Sequence, residues 1–351
     1  MDERDEHVAP AAWEAFARRA LVAAGMPEGH AATTAAAMLW ADLRGLDAHG
    51  VNGKLAQCVA RIRAGGTRAA PALPVGREQA ATASIDGQDA WGQVAAVAGM
   101  RTAIAKAKAS GVGAVSVRDV SSTAALGYYP TLAVAEQMIG VAISNGPALM
   151  APWGGATRLL GNQAHAIGCP SRRHFPILFD TALSAMSTGE MDLLLERGEL
   201  LPEGVLLDAA GQPTRDPAAW KAGLLVPIGG HRGYGLSLVF EVLTGALAGG
   251  ARMAPEVGHP FDYARPQGVS LFLLAIDPEL AMPIATFLDR VDRLIDRVHA
   301  TPPAPGVERV YLPGERGYLT AQRREREGIP VSPERAEKLK LLARDLGVPP
   351  W

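Results

Sequence analysis

Four short stretches of the chain carry side chains that exchange protons or hold anions. The first, Asp47-Ala48-His49-Gly50, is a polar turn in an otherwise apolar region. Its histidine titrates in the range useful for proton transfer, although a histidine in a turn more often caps or packs. Asp180 closes the apolar run Pro176-Ile177-Leu178-Phe179. There it reads either as a carboxylate projecting at a sheet edge, where α/β proteins place ligands, or as a helix N-cap. Gly229-Gly230-His231-Arg232 precedes a helical pattern, so backbone N–H groups and a guanidinium face outward together, the arrangement that binds phosphate; the plainer reading is a solvated helix start. Gly314-Glu315-Arg316, taken alone, passes for an exposed loop.

Familiar nucleotide and hydrolase signatures are missing. The nearest approach to GxGxxG is Gly111-Val112-Gly113-Ala114-Val115-Ser116, which lacks the third glycine and lies between a helix and the following strand. A dinucleotide fingerprint lies between a strand and the following helix. There is no Walker A, HExxH or GxSxG sequence, and the two cysteines, Cys58 and Cys169, have no metal-ligand spacing. Lys and Arg total 34 against 36 for Asp and Glu, which disfavours nucleic acid and anionic membrane as partners. The acidic start, Met1 to His7, is unlike a signal peptide, and the longest apolar stretch, Leu236 to Gly250, contains Glu241 and is short of about 20 residues needed for a bilayer span. A folded chain in a reducing cytoplasm is expected.

The elements that must hold these turns follow from periodicity. Apolar residues recur every three to four positions over Pro10–Gly25, His30–Leu43 and Asn52–Ala64, which predicts three helices. Proline then marks a linker at Pro71 to Pro74. From Thr82 strand and helix alternate: strand Thr82–Ile85, helix Gln93–Ala109, strand Ala114–Val117, helix Gly127–Gln137, then strands Val141–Ser144 and Ile177–Phe179. Helix Gly233–Ala248, strand Val269–Ile276 and helices Glu279–Val298, Leu319–Glu327 and Pro333–Leu346 complete the reading. The expected plan is an α/β protein in which a helical lobe from both chain ends surrounds a central α/β domain, with boundaries 1–75, 76–276 and 277–351.

In order and spacing, the turns above, together with Pro152-Trp153-Gly154-Gly155, Gly127-Tyr128-Tyr129 and Ser144-Asn145, resemble the malate/L-lactate dehydrogenase family. Sulfolactate, ureidoglycolate, 2,3-diketogulonate and cyclic imino acid reductases belong to it. The resemblance runs from about Trp13 to Val331, and the family's non-Rossmann fold accounts for the missing fingerprint. It implies an oxidoreductase that uses NAD or NADP, with His49 as proton donor and Asp180 orienting it. It also implies cofactor contacts from Leu178, Phe179, Asp180, Thr181, Ala182, Leu183, Ser184, His231, Arg232, Gly314, Glu315 and Arg316. The implied substrate is a small 2-oxo or 2-hydroxy acid or a cyclic imino acid, and the implied assembly is a homodimer.

Three positions depart from the family pattern. Ala48 stands where serine is usual, Gly53 where an arginine clamps a carboxylate, and Ser122 where a histidine is common. With Lys54 and Tyr128 they form the expected substrate pocket, altered from that of the family. A catalytically silent cofactor-binding homologue with a sensing or partner role is the alternative. If Gly53 marks a missing clamp, Gly53→Arg is expected to strengthen activity on 2-oxo dicarboxylates.

Overall fold

The computed structural model describes residues 5–249 and 252–351; Met1 to Arg4 of the acidic start and Gly250 at the end of the long apolar stretch lie outside them. A short strand β1 (Glu6–Val8) leads into α1 (Pro10–Ala23), α2 (Glu28–Leu43) and α3 (Val51–Ala64). The alternating region supplies β2 (Val75–Glu78), β3 (Thr82–Ala90), α4 (Gly92–Ser110), β4 (Val112–Val120), α5 (Tyr128–Ala135), β5 (Ile139–Ser144), β6 (His165–Cys169) and β7 (Ile177–Thr181). Next come α6 (Thr188–Arg197), the two-residue strands β8 (Leu206–Leu207) and β9 (Leu224–Leu225), α7 (His231–Glu241) and β10 (Val269–Ile276). The chain ends with α8 (Ile284–His299), α9 (Glu315–Glu327), β11 (Ile329–Val331) and α10 (Pro333–Leu346).

Seven strands form one sheet in the order β2-β3-β4-β10-β5-β6-β7. Only β3 and β4 run parallel within it, and α4 provides the crossover that a parallel pair requires. The central strand β10 pairs with β4 on one side and β5 on the other, and its alternate residues Leu271, Leu273 and Ala275 are fully buried. β7 ends the sheet, so Asp180 lies on an edge strand, in register with Ala166 of β6.

Apolar side chains gather in three clusters. One lies between the sheet, α4 and α5. A second joins the two chain ends: β1 pairs with β11, and Trp351 meets the rings of Trp13 and Phe16 edge-on at 4.8 and 5.2 Å. Burying such aromatic side chains contributes about 1.5–3 kcal/mol each, which ties residues far apart in sequence into one lobe. The third cluster, around Met150, Met191, Leu206 and Leu225, belongs to a smaller lobe that carries α6, β8 and β9.

Some expected elements change at their ends. The helix expected over Glu279–Val298 is broken: Pro278–Leu280 is a single 3-10 turn, and α8 starts at Ile284 because Pro283, lacking an N–H, stands at its N-cap. The helix expected to run to Ala248 passes at Val242–Ala246 into a π-helical turn. α9 begins at Glu315 rather than Leu319, with Gly314 in the left-handed region at its cap. β7 includes Asp180 and runs one residue past it, to Thr181.

Candidate active site

The turn Asp47–His49 joins α2 to α3 and is held at both ends. Asp42, fully buried on α2, accepts hydrogen bonds from Trp13 Nε1 and the Val51 N–H, both at 2.8 Å, and from Asn52 Nδ2 at 3.4 Å. Its burial drives the carboxyl up to about 7 despite these donors, and the negative charge of Asp47 adds to the rise. A Cβ on Gly50 would stand 2.1 Å from the Asp42 carboxylate, so only glycine lets the chain pass there. From α9, Arg324 donates to the Asp47 carboxylate and to the Asp42 carbonyl. Two contacts that are remote in sequence thus fix the backbone that carries His49.

His49 keeps solvent-exposed surface but lies in a recess crowded by protein atoms. Desolvation there pushes its imidazole down to about 4, and the positive charge of Lys54 acts in the same direction. Lys54, four residues along α3 from Gly50, is itself brought down to about 8 by burial, and its Nζ donates to Gln57 Oε1 at 2.9 Å. In the free chain at pH 7, then, His49 is held mainly in its neutral form. The tendency near neutrality expected from histidine in general is displaced by this recess.

Gly53 faces the same turn from within α3. A Cβ there would lie 2.4 Å from the Ala48 carbonyl oxygen and 2.6 Å from its carbon, both backbone atoms. The close packing of α3 on Ala48 leaves no room for a side chain at Gly53 unless the 47–49 turn shifts.

Asp180 reaches the site from the sheet. Its Oδ2 accepts the Gly127 N–H at 2.8 Å, and burial raises its pKa to about 6. Gly127 leads into Tyr128, whose ring meets Trp40 of α2 edge-on at 5.8 Å, and the Arg44 guanidinium lies 4.1 Å from the centre of the Trp40 ring. Among the described residues no hydrogen bond joins Asp180 to His49. Ser122 lies in the loop leading to Gly127, where its hydroxyl accepts the Ala124 N–H at 3.4 Å.

The cationic turns have distinct surroundings. Gly229 and Gly230 both adopt positive φ, and no side chain caps α7, so its first N–H groups, with exposed His231 and Arg232 beside them, are open to an anion. Trp153 stands 6.4 Å from His231, ring centre to ring centre, and lines a cavity of about 700 Å³ with Pro152, Gly154, Leu207 and Val226; neither His49 nor Asp180 borders it. Gly314 follows Pro313, whose carbonyl accepts the Leu178 N–H at 3.1 Å, which brings 314–316 beside β7. Glu315 departs from the plain reading of 314–316 as an exposed loop: it is buried, and its carboxylate accepts from His299 Nε2 at 3.1 Å, the Leu312 N–H at 2.9 Å and Arg309. These donors hold it below the usual carboxylate range against its desolvation. Its carboxylate orders the 309–314 segment, leaving Arg316 as the charge on the outside of this turn.

Sequence reasoning overlooked Asp42, Trp40, Arg324 and Gln57. An acidic residue on the apolar face of α2 was the available signal for Asp42; nothing local marks its partners. Among the described residues no group of three or more His, Cys, Asp or Glu is placed to hold a metal ion.

Comparison with known proteins gives a consistent picture. Residues 8–340 match the profile of the family described as malate/L-lactate dehydrogenase. The chain is 34% identical over 341 residues to a malate dehydrogenase of Pyrococcus abyssi, covering 95% of this chain and 93% of that protein. It is 35% identical over 320 residues to a Delta(1)-pyrroline-2-carboxylate reductase of Ancylobacter novellus, covering 90% and 91%. The sulfolactate dehydrogenase structure from Methanocaldococcus jannaschii superposes with a TM-score of 0.91 at 32% identity, covering 98% of both chains.

Proposed function

The chain belongs to the malate/L-lactate dehydrogenase family, and from that premise we propose that it transfers hydride between a nicotinamide cofactor, NAD or NADP, and a small 2-oxo or 2-hydroxy acid or a cyclic imino acid. The observation that carries this reading is the His49 turn, clamped by Asp42 and Arg324 and within the electrostatic reach of the Lys54 ammonium. Such a turn positions a proton carrier and an anion together, which is what reduction of an anionic carbonyl or imine requires.

The residues present suit the cofactor. Ser184 Oγ is a buried hydroxyl with no partner among the described residues, and the uncapped start of α7 offers N–H groups beside Arg232. Residues 178–184 of β7 and its continuation, His231 and Arg232, and Gly314 with Arg316 would hold it. The cofactor, when bound, supplies or accepts the hydride. His49 gives a proton to the substrate oxygen or nitrogen in reduction and takes one in oxidation. Asp180, anchored on the Gly127 N–H, fixes the loop that carries Tyr128.

A homodimer belongs to the same reading. The outer face of α7 and the turn after it expose Leu236, Val239, Val242 and Leu247, the last three more than half in solvent. Sedimentation at micromolar concentration is expected to give a dimer, and a stable monomer would contradict this. Among the described residues no helix is long and apolar enough to cross a membrane; with both cysteines unpaired, a reducing cytoplasm is the compartment we propose.

The pH dependence tests the assignment. Reduction needs the imidazolium of His49, which is lost as pH rises through its folded value of about 4, so kcat/KM for reduction falls across pH 5 to 8 on the order of tenfold per unit. Oxidation needs the neutral ring, which desolvation already secures above about pH 5, so its kcat/KM is expected to stay level between pH 5 and 7. Pyruvate, oxaloacetate and a cyclic imino acid with NADH or NADPH, and the matching hydroxy acids with NAD or NADP, form the panel. Quenching of tryptophan fluorescence by NADH or NADPH without turnover of any of them would contradict the enzyme.

A further inference from the structure

α3 turns two more side chains away from His49 and toward the segment 259–265. Arg61 is fully buried and donates to the carbonyls of Pro260, Asp262, Gly66 and Arg265 at 3.3, 2.8, 3.1 and 2.6 Å, and to Thr67 Oγ1 at 3.3 Å. One turn before it, buried Gln57 donates from Nε2 to the Pro260 carbonyl at 3.0 Å. A carbonyl only accepts, so Pro260 fixes which way the Gln57 amide points: its Oε1 must face the Lys54 ammonium, 2.9 Å away. That acceptor satisfies one donor of the ammonium and leaves its charge uncompensated.

The charged groups on α2, in the 47–49 turn and on the 259–265 segment have partners of their own. Asp42 of α2 accepts from Trp13 and Val51, and Asp47 in the turn is held by Arg324 of α9. On the 259–265 segment Asp262 faces Arg265 at 3.8 Å, and Arg61 of α3 is spent on carbonyls. Among the described residues Lys54 has no carboxylate as a hydrogen-bond or ion-pair partner. A desolvated ammonium without a counter-ion favours the arrival of an anion.

We propose that Gln57 is a positioning residue which, anchored on Pro260, holds the Lys54 ammonium beside His49 as a single-point hook for the carboxylate of the substrate. The word substrate rests on the hydride-transfer reading; the hook is a property of the free chain. Because an ammonium is a compact point charge, the site takes one carboxylate without the planar, two-point geometry an arginine imposes. The bound carboxylate also offsets the field of Lys54 at His49, so the imidazole gains affinity for its proton when substrate arrives.

The test uses the full chain with histidine labelled at Cε1, the His49 resonance being identified by its absence in His49→Ala. Oxamate, a non-reacting carboxylate, is the probe. Gln57→Glu places a counter-charge on Lys54 at unchanged side-chain length. It is expected to weaken oxamate at least about tenfold and to raise the His49 pKa by about one unit. Lys54→Met is expected to move both readouts in the same directions and serves if the first variant fails to fold. Oxamate affinity and His49 titration both within twofold of wild type in either folded variant would overturn the hook. A response in Lys54→Met but not in a folded Gln57→Glu would overturn the role of Gln57. Neither readout requires turnover, so a chain that responds as expected yet reduces no 2-oxo acid or imine contradicts the hydride-transfer reading alone.

Discussion

His49→Ala is expected to lower the rate of reduction at least about a hundredfold while leaving affinity for NADH or NADPH within about twofold, because general acid catalysis contributes that much and cofactor binding uses other elements. The turn survives the substitution: Asp42 holds the Val51 N–H and Arg324 holds Asp47 without help from the imidazole. Turnover at saturating substrate gives the first quantity and tryptophan quenching gives the second. A variant with wild-type turnover would remove His49 from the reaction, and one that no longer binds cofactor would mean the turn had collapsed.

The second large effect concerns Gly53, where sequence and structure lead to opposite expectations. The resemblance places a carboxylate-binding arginine there, so that Gly53→Arg strengthens activity on oxaloacetate. In the fold the Gly53 N–H donates to the Gly50 carbonyl at 3.2 Å, and any Cβ would stand 2.4 Å from the Ala48 oxygen. Backbone atoms cannot rotate aside as a long side chain does, so the 47–49 turn must move. A displacement of about 1 Å in a catalytic group costs on the order of a hundredfold in rate. Gly53→Ala is therefore expected to lose about a hundredfold in kcat, and Gly53→Arg no less, with far-ultraviolet circular dichroism unchanged. A gain on oxaloacetate in Gly53→Arg would show that the turn gives way and that the position takes a clamp after all.

This contrast marks where local pattern stops being informative. Periodicity located β10 to the residue and α4 to within one residue at each end, because each buries a regular face in the central cluster. It missed β1 and β11, which exist only because they pair with one another across almost the whole chain. The capping box at Ser187 and Glu190 was there to be read as the start of α6 and went unused. The break before α8 was likewise announced by Pro283.

At the site the same division holds. His49 stood out as a histidine in a polar turn, and the glycines before His231 marked an anion-binding helix start. What fixes His49 did not stand out, since Arg324 meets the Asp42 carbonyl across 282 positions. The burial of Glu315 is not legible from its spacing to Gly314, which says nothing of the Arg309 and His299 that draw it inward. Gln57 was hidden among the apolar positions of α3, where a buried amide is visible only once Pro260 is seen to accept from it.

Direct transfer of hydride is the centre of this account, and isotope labelling reaches it without assuming which acid is natural. The full chain is incubated with NADH or NADPH carrying deuterium at the transferable position of the nicotinamide, together with each 2-oxo acid and cyclic imine, and the products are analysed by mass spectrometry. The expected result is one deuterium on the reduced carbon of at least one product, with the yield falling at least about a hundredfold in His49→Ala. Products without deuterium, no product across the whole panel, or equal labelling by His49→Ala would contradict the account.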